Sequence, residues 1–163
     1  MPPQETPALI RALAEAGVRF VVVGGVAAIV HGASTFTRDL DVLAPFDEDN
    51  MARLLRALHD HDPRFALHPT HPKLAQSPSE LATFHDLYLD TALGRLDVLG
   101  QLPNGTYDEL APSAITVSLA QVQCAVLGLD ALIQSKALLG RAKDQVSLME
   151  LRAIRDRLRG EDP

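Results

Sequence analysis

The sequence predicts an α/β (α+β) fold, a mixed β-sheet flanked by helices with a helical C-terminal part. Three observations predict it. Amphipathic helical stretches alternate with runs of β-forming residues from the start, short β-prone pieces then follow one another, and the last third has helical periodicity. A chain of 163 residues, 47 % hydrophobic and 22 % charged, can bury one core without help from metal or disulfides. The expected division is a core over 1–127 and a helical segment over 128–163 packed on it.

Thr6-Pro7 reads as a helix N-cap with proline in the first turn, where its missing N–H is harmless. Leu9, Ile10 and Leu13 give that helix one apolar stripe, and Gly17 ends it. Phe20 to Val23 is apolar without alternation, as in a strand covered on both faces. Gly24-Gly25 stops the strand, and Val26 to His31 forms a short helix that Gly32 terminates. Over Thr37 to Leu43, Thr37, Asp39 and Asp41 face one way and Arg38, Leu40 and Val42 the other. Asp47 caps a helix whose Met51, Leu54, Leu55 and Leu58 share a face. Residues 60 to 80, rich in His and Pro, read as an irregular connection. Two strands, Phe84 to Asp90 and Arg95 to Leu99, flank a turn at Gly94. Asn104-Gly105 marks another turn, and Ile115 to Val117 and Gln123 to Leu127 are β-prone. Asp130 to Leu139 and Ala142 to Leu158 are helical, with Leu148, Leu151, Ile154 and Leu158 on one side of the second.

A net charge of −6 argues against a general nucleic-acid coat. The charge is uneven, because seven of the 15 basic residues lie from Lys136 onward, against five of the 21 acidic ones. A basic C-terminal surface and a solvated helix face both explain this. Cys124, the single cysteine, sits among apolar neighbours and reads as a small buried hydrophobe. The first ten residues lack the pattern of a signal peptide, and no apolar run approaches the ~20 residues of a membrane span, so the expectation is a cytoplasmic protein with no membrane partner. His59, His61, His68 and His71 invite a zinc reading. Their spacing does not share a helix face, Pro63, Pro69 and Pro72 suggest a loop, and no cysteine assists.

Three features converge on one chemistry. Gly24-Gly25, between strand and helix, lets a ligand approach backbone N–H groups. Asp39-Leu40-Asp41 sets two carboxylates on one strand face, roughly 6.6 Å apart along the backbone, near enough to converge on one ion. Asp97 lies within the otherwise apolar Leu96 to Leu99, where an acid needs a partner or a cation. Three carboxylates from two strands suit magnesium, which keeps coordination sites for phosphate oxygens.

These segments, Val21 to Ala28 through His31-Gly32 and then Thr37-Arg38-Asp39-Leu40-Asp41, resemble the polymerase-beta-like nucleotidyltransferases. The resemblance is greatest to small bacterial members of the abortive-infection and toxin–antitoxin type, and Asp97 fits their third carboxylate. Leu129 to Lys136 and Gly140 to Asp144 resemble the helical part of those proteins, in which a lysine and a Lys-Asp pair reach the nucleotide. The resemblance implies a nucleotidyltransferase fold and a magnesium-dependent enzyme, with one or two ions on Asp39, Asp41 and Asp97. It also implies a nucleoside triphosphate, such as ATP, held by Gly24, Gly25, Thr37, Lys136 and Lys143. Lys136 and Lys143 are seven apart and share a helix face if helical geometry persists between them. His31 reads as packed at a helix end rather than as a nucleotide contact. The chain departs from the pattern at Thr35, where the relatives commonly carry arginine. Three readings follow: transfer to RNA, with tRNA as a toxin's target and a cognate antitoxin as partner; a small-molecule, antibiotic-type adenylyltransferase; and a nucleotide- or partner-binding protein without turnover.

Overall fold

The computed structural model describes residues 3–160; the ends of the expected 1–127 core and 128–163 segment, Met1, Pro2 and residues 161–163, lie outside the described residues. The elements run α1 (Thr6–Glu15), β1 (Val21–Val23), α2 (Gly24–Val30), β2 (Asp39–Leu43), α3 (Glu48–Leu58), β3 (Arg64–Phe65), α4 (Pro78–Leu81), β4 (Asp86–Thr91) and β5 (Gly94–Leu99). A small hairpin, β6 (Gln101–Leu102) and β7 (Gly105–Thr106), and α5 (Tyr107–Leu110) follow. The chain continues through β8 (Ile115–Leu119), β9 (Val122–Val126), α6 (Leu129–Leu139) and α7 (Gln145–Leu158).

Seven strands form one mixed sheet in the order β3-β4-β5-β2-β1-β9-β8. β1 runs antiparallel to β2 and parallel to β9, and β2 runs parallel to β5. β4 is antiparallel to both β3 and β5, and β8 to β9. This is the mixed sheet with flanking helices that the alternation of elements predicts.

Period-two alternation decides what each face of the sheet carries. Leu40, Val42, Leu87, Leu89, Leu96 and Val98 are buried on one face, where α1 packs on β2 and β5 and α3 packs on α1. Asp39, Asp41, Asp86, Tyr88, Arg95 and Asp97 are the half-buried residues between them, on the opposite face. The apolar layer thus holds the strands in register while the other side is left for polar groups. α3 supplies Met51, Leu54 and Leu58 to the core, and Asp47 caps it by accepting a hydrogen bond from Asn50 N. The Asn50 side chain is itself buried. It accepts from Arg19 N at 2.8 Å and donates to the Arg19 and Pro45 carbonyls, pinning the α1–β1 and β2–α3 connections together.

Several local expectations need correction. Thr6 is the first helical residue rather than the cap; Glu5 occupies the cap position because its N–H bonds Leu93 O across the β4–β5 turn. The region 60–80 holds the edge strand β3 and the short α4, which Ser77 and Glu80 close with a reciprocal capping box. The final helix begins at Gln145, after Gly140 turns left-handed and residues 142–144 form a single 3₁₀ turn. Of its expected apolar side, Leu148 and Leu151 are buried, whereas Leu158 is 76 % exposed. No helix among the described residues is long and apolar enough to cross a membrane.

Candidate metal and nucleotide site

The site begins with register. Asp41 on β2 lies beside Asp97 on β5, and Asp39 lies beside Arg95. One carboxylate oxygen from each of Asp39, Asp41 and Asp97 can be chosen so that all three lie within 4.8 Å of one another. Among the described residues these three are the one His, Cys, Asp or Glu group gathered closely enough to hold an ion. His59, His61, His68 and His71 lie apart from them, on exposed or half-exposed backbone.

The cluster is electrostatically strained without a cation. Burial first, then the charges of Asp97 and Asp39, push the Asp41 carboxyl up to about 7. Asp97 is also raised, chiefly by burial, although the Arg95 guanidinium works against this through a 2.6 Å hydrogen bond from Nε to Oδ1. Two adjacent carboxylates on one sheet face therefore share a proton near neutral pH. A divalent cation relieves the same repulsion, and an all-oxygen donor set suits magnesium or a similar hard ion. The residues present fit such an ion.

The two glycines make room for this cluster. Gly24 adopts φ +64°, and a Cβ there would run into Asp41 Oδ2. At Gly25 a Cβ would lie 2.8 Å from Thr37 Cβ. Thr37 in turn donates from Oγ1 to Asp39 O at 3.2 Å, fixing the entry into β2. Gly24 lines the cleft over the acids, whereas Gly25 and Thr37, expected beside it at the nucleotide, are not among the lining residues.

The opposite wall comes from the C-terminal segment. Lys136 is buried, and its Nζ donates to Asp144 Oδ1 at 3.0 Å, while Arg141 Nε donates to Asp144 Oδ2 at 2.6 Å. Burial works to raise the Asp144 carboxyl, but the hydrogen bonds from Arg141 and Lys136 outweigh it and hold the group below the ordinary carboxylate range. Two cations around one carboxylate leave a surplus positive charge facing the acids. Lys143 lines the same cleft and lowers the proton affinity of Asp41. Lys136 and Lys143 do meet at one cavity, though not through a shared helix face: the chain turns at Gly140, and that turn swings Arg141 and Lys143 across the opening. The cleft encloses ≈ 290 Å³.

Several lining residues escape the sequence reading. Asp86 and Tyr88 project from β4 on the Asp97 side, Tyr88 being Asp97's direct partner in register. Asp86-Leu87-Tyr88-Leu89-Asp90 alternates polar and apolar residues, a signal that would have put them on the acid face. Arg95 had the same signal, two residues from Asp97. Arg38 lies over the exposed Phe36 ring, and Thr35 does not line the cleft. His31 packs at the end of α2, with Nε2 2.7 Å from Leu127 O.

No protein-family model matches the chain, and no curated protein sequence does either. Solved structures do resemble it. The lincosamide antibiotic adenylyltransferase LnuA, solved with lincomycin bound, superposes with a TM-score of 0.61 over 94 % of this chain and 99 % of its own, at 12 % identity. A candidate nucleotidyltransferase from Thermotoga maritima gives a TM-score of 0.48 at 16 % identity over 91 % of this chain and 94 % of its own, a likeness too weak to build on. The chain has the nucleotidyltransferase fold.

Proposed function

We propose that this protein is a metal-dependent nucleotidyltransferase that moves a nucleoside monophosphate from a nucleoside triphosphate to an acceptor hydroxyl. The observation that carries the proposal is the convergence of Asp39, Asp41 and Asp97 oxygens within 4.8 Å, opposite a wall holding Lys136, Arg141 and Lys143. A cluster of acids facing a cluster of bases is the charge pattern that a metal–triphosphate complex complements.

In this reading the core over 1–127 supplies the acids and the segment over 128–163 supplies the cations. Gly24 admits the triphosphate to the acid floor. Magnesium, once held by Asp39, Asp41 and Asp97, supplies charge neutralisation at the phosphate oxygens. Lys143 and Arg141 take the phosphate charge facing the C-terminal wall, and Lys136 is held in line by Asp144. The acceptor oxygen attacks the α-phosphorus, the bond from that phosphorus to the β-bridging oxygen breaks, and pyrophosphate leaves. The hydroxyl proton passes to Asp97, the acid of the cluster that stands on β5 next to Tyr88 of β4. Among acceptors, a small molecule is favoured over tRNA, because the cleft lining beside Asp97 is Asp86 and Tyr88, and Arg95 there is engaged by Asp97. A toxin role and a cognate antitoxin gain no support from the site.

The test is label transfer. The protein is mixed with magnesium, each α-labelled triphosphate, and either total RNA or a set of hydroxylated small molecules. We expect label on an acceptor, and a loss on the order of 10³-fold in Asp41→Ala. Undiminished transfer by Asp41→Ala rejects the assignment, and nucleotide binding without transfer to any acceptor makes the chain a binding protein.

A further inference from the structure

The two edges of the sheet are built differently. β3 is two residues long, and its Arg64 bridges Lys73 and pairs with Asp62 at 3.0 Å, so that edge is short and charged. β8, at the other edge, runs for five residues and pairs with β9 alone among the described residues. Alternate residues along β8 turn their N–H and C=O groups away from β9. No charge guards them: between Glu109 and Asp130 the sequence has no charged residue, in a chain that is 22 % charged. Ile115, Thr116 and Ser118 are exposed, and Val117 and Leu119 are half-buried. A pocket of ≈ 360 Å³ opens at the start of the strand, with Ile115, Leu129 and Leu158 in its lining.

We propose that β8 is a homodimer interface, at which it pairs antiparallel with β8 of a second copy about a two-fold axis through Val117. The strand's own sequence carries the choice of partner. Ile115-Thr116-Val117-Ser118-Leu119 is chemically alike read from either end, so the axis sets Ile115 opposite Leu119, Thr116 opposite Ser118 and Val117 opposite itself. Apolar meets apolar and hydroxyl meets hydroxyl at every position, and no like charges oppose one another. A strand of another protein could share the main-chain bonds but has no cause to repeat this correspondence. The pairing also carries Leu119 of the second copy to the pocket beside Ile115, where Leu158 stands 76 % exposed in the single chain. Apolar burial there adds to the main-chain bonds. The sheet then continues through both copies. β9 and β1 separate β8 from β2, so both clefts stay open, and the inference stands whether or not the chain transfers nucleotides.

The test is sedimentation velocity of the full chain over a range of concentrations, with two double variants. A wild-type species of twice 17.6 kDa is expected. In the proposed register T116K/S118K sets lysine opposite lysine twice, whereas T116K/S118E sets lysine opposite glutamate twice. The first is expected to weaken the dimer roughly tenfold or more, and the second to keep its Kd within about threefold of the wild type. Thr116 and Ser118 are both exposed, so neither double substitution disturbs the core, and thermal unfolding checks that both variants fold. Equal weakening by the two overturns the proposal. So does a dimer that T116K/S118K leaves intact, since its interface then lies elsewhere. Amide exchange of the wild type gives a reading free of substitutions: the outward-turned amides of β8 are expected to slow as the dimer forms, and unchanged exchange there overturns the pairing. A wild type that stays monomeric at about 100 μM also overturns it and leaves β8 to an extended segment of another protein.

Discussion

Gly24 and Asp41 occupy space that two ordinary residues could not share. The positive φ of Gly24 and the closeness of its missing Cβ to Asp41 Oδ2 make the glycine a steric condition for the acid cluster. Gly24→Ala is expected to lose about 1–2 kcal/mol from left-handed backbone alone, measured by urea unfolding, and to weaken divalent-ion binding as Asp41 is displaced. Wild-type values for both would show that the contact is dispensable. Asp41 also sets a pH signature. Its folded value of about 7 lies above the ordinary 3.8, so between those values the folded chain keeps a proton that the unfolded chain has released. The carboxyl therefore contributes stability that is fully present below about pH 4 and is lost as the pH rises through 7. In metal-free protein, Asp41→Asn should flatten this part of the stability profile; an unchanged slope would contradict the shared-proton account. At this scale the sequence was informative where chemistry and strand period coincide, as at Asp39, Asp41 and Asp97. It was silent on the steric work of Gly24 and Gly25, because the side chains that press on them come from seventeen and twelve residues further along.

The connection between α6 and α7 shows why an element can be predicted while its role is misread. Helical periodicity is plain on both sides of Gly140, but one left-handed residue redirects the chain and replaces a shared helix face with a wall across the cleft. Asp144 then becomes the buried centre of Lys136 and Arg141; the Arg141 contact has i,i+3 spacing, but the one to Lys136, eight residues back, is a partnership no spacing rule for a continuous helix would assign. Removing it strands a buried ammonium. Asp144→Ala is expected to cost about 3–5 kcal/mol, read as a shift in the denaturation midpoint, and Asp144→Asn less; a midpoint unchanged in both would mean that Lys136 finds another partner. The short β3 and α4 were illegible for a different reason. Two paired residues and one helical turn are too brief to set up a period, and their existence depends on β4 and on the Ser77–Glu80 capping box.

Across the whole molecule, one sheet sorts the chemistry. Its apolar face is sealed by α1 and α3, and its other face gathers acids from β2, β4 and β5 under the basic C-terminal segment. The class of this architecture was legible because alternating helices and strands leave few ways to layer. The strand order was not. β1 pairs with β9 and β2 with β5, across long stretches of chain, and such pairings are chosen by the assembled core rather than by any local signal. That order is what sets Asp41 beside Asp97, and hence what brings an acid of β5 to the Asp39–Asp41 pair of β2. Ion binding to metal-free protein tests this most directly. Titration of magnesium by calorimetry at several pH values is predicted to show one site or two, absent in a protein carrying Asp39→Asn and Asp41→Asn together. Affinity should weaken roughly tenfold per pH unit below 7 as Asp41 takes its proton. Binding that is independent of pH, or that survives the double substitution, would contradict the account.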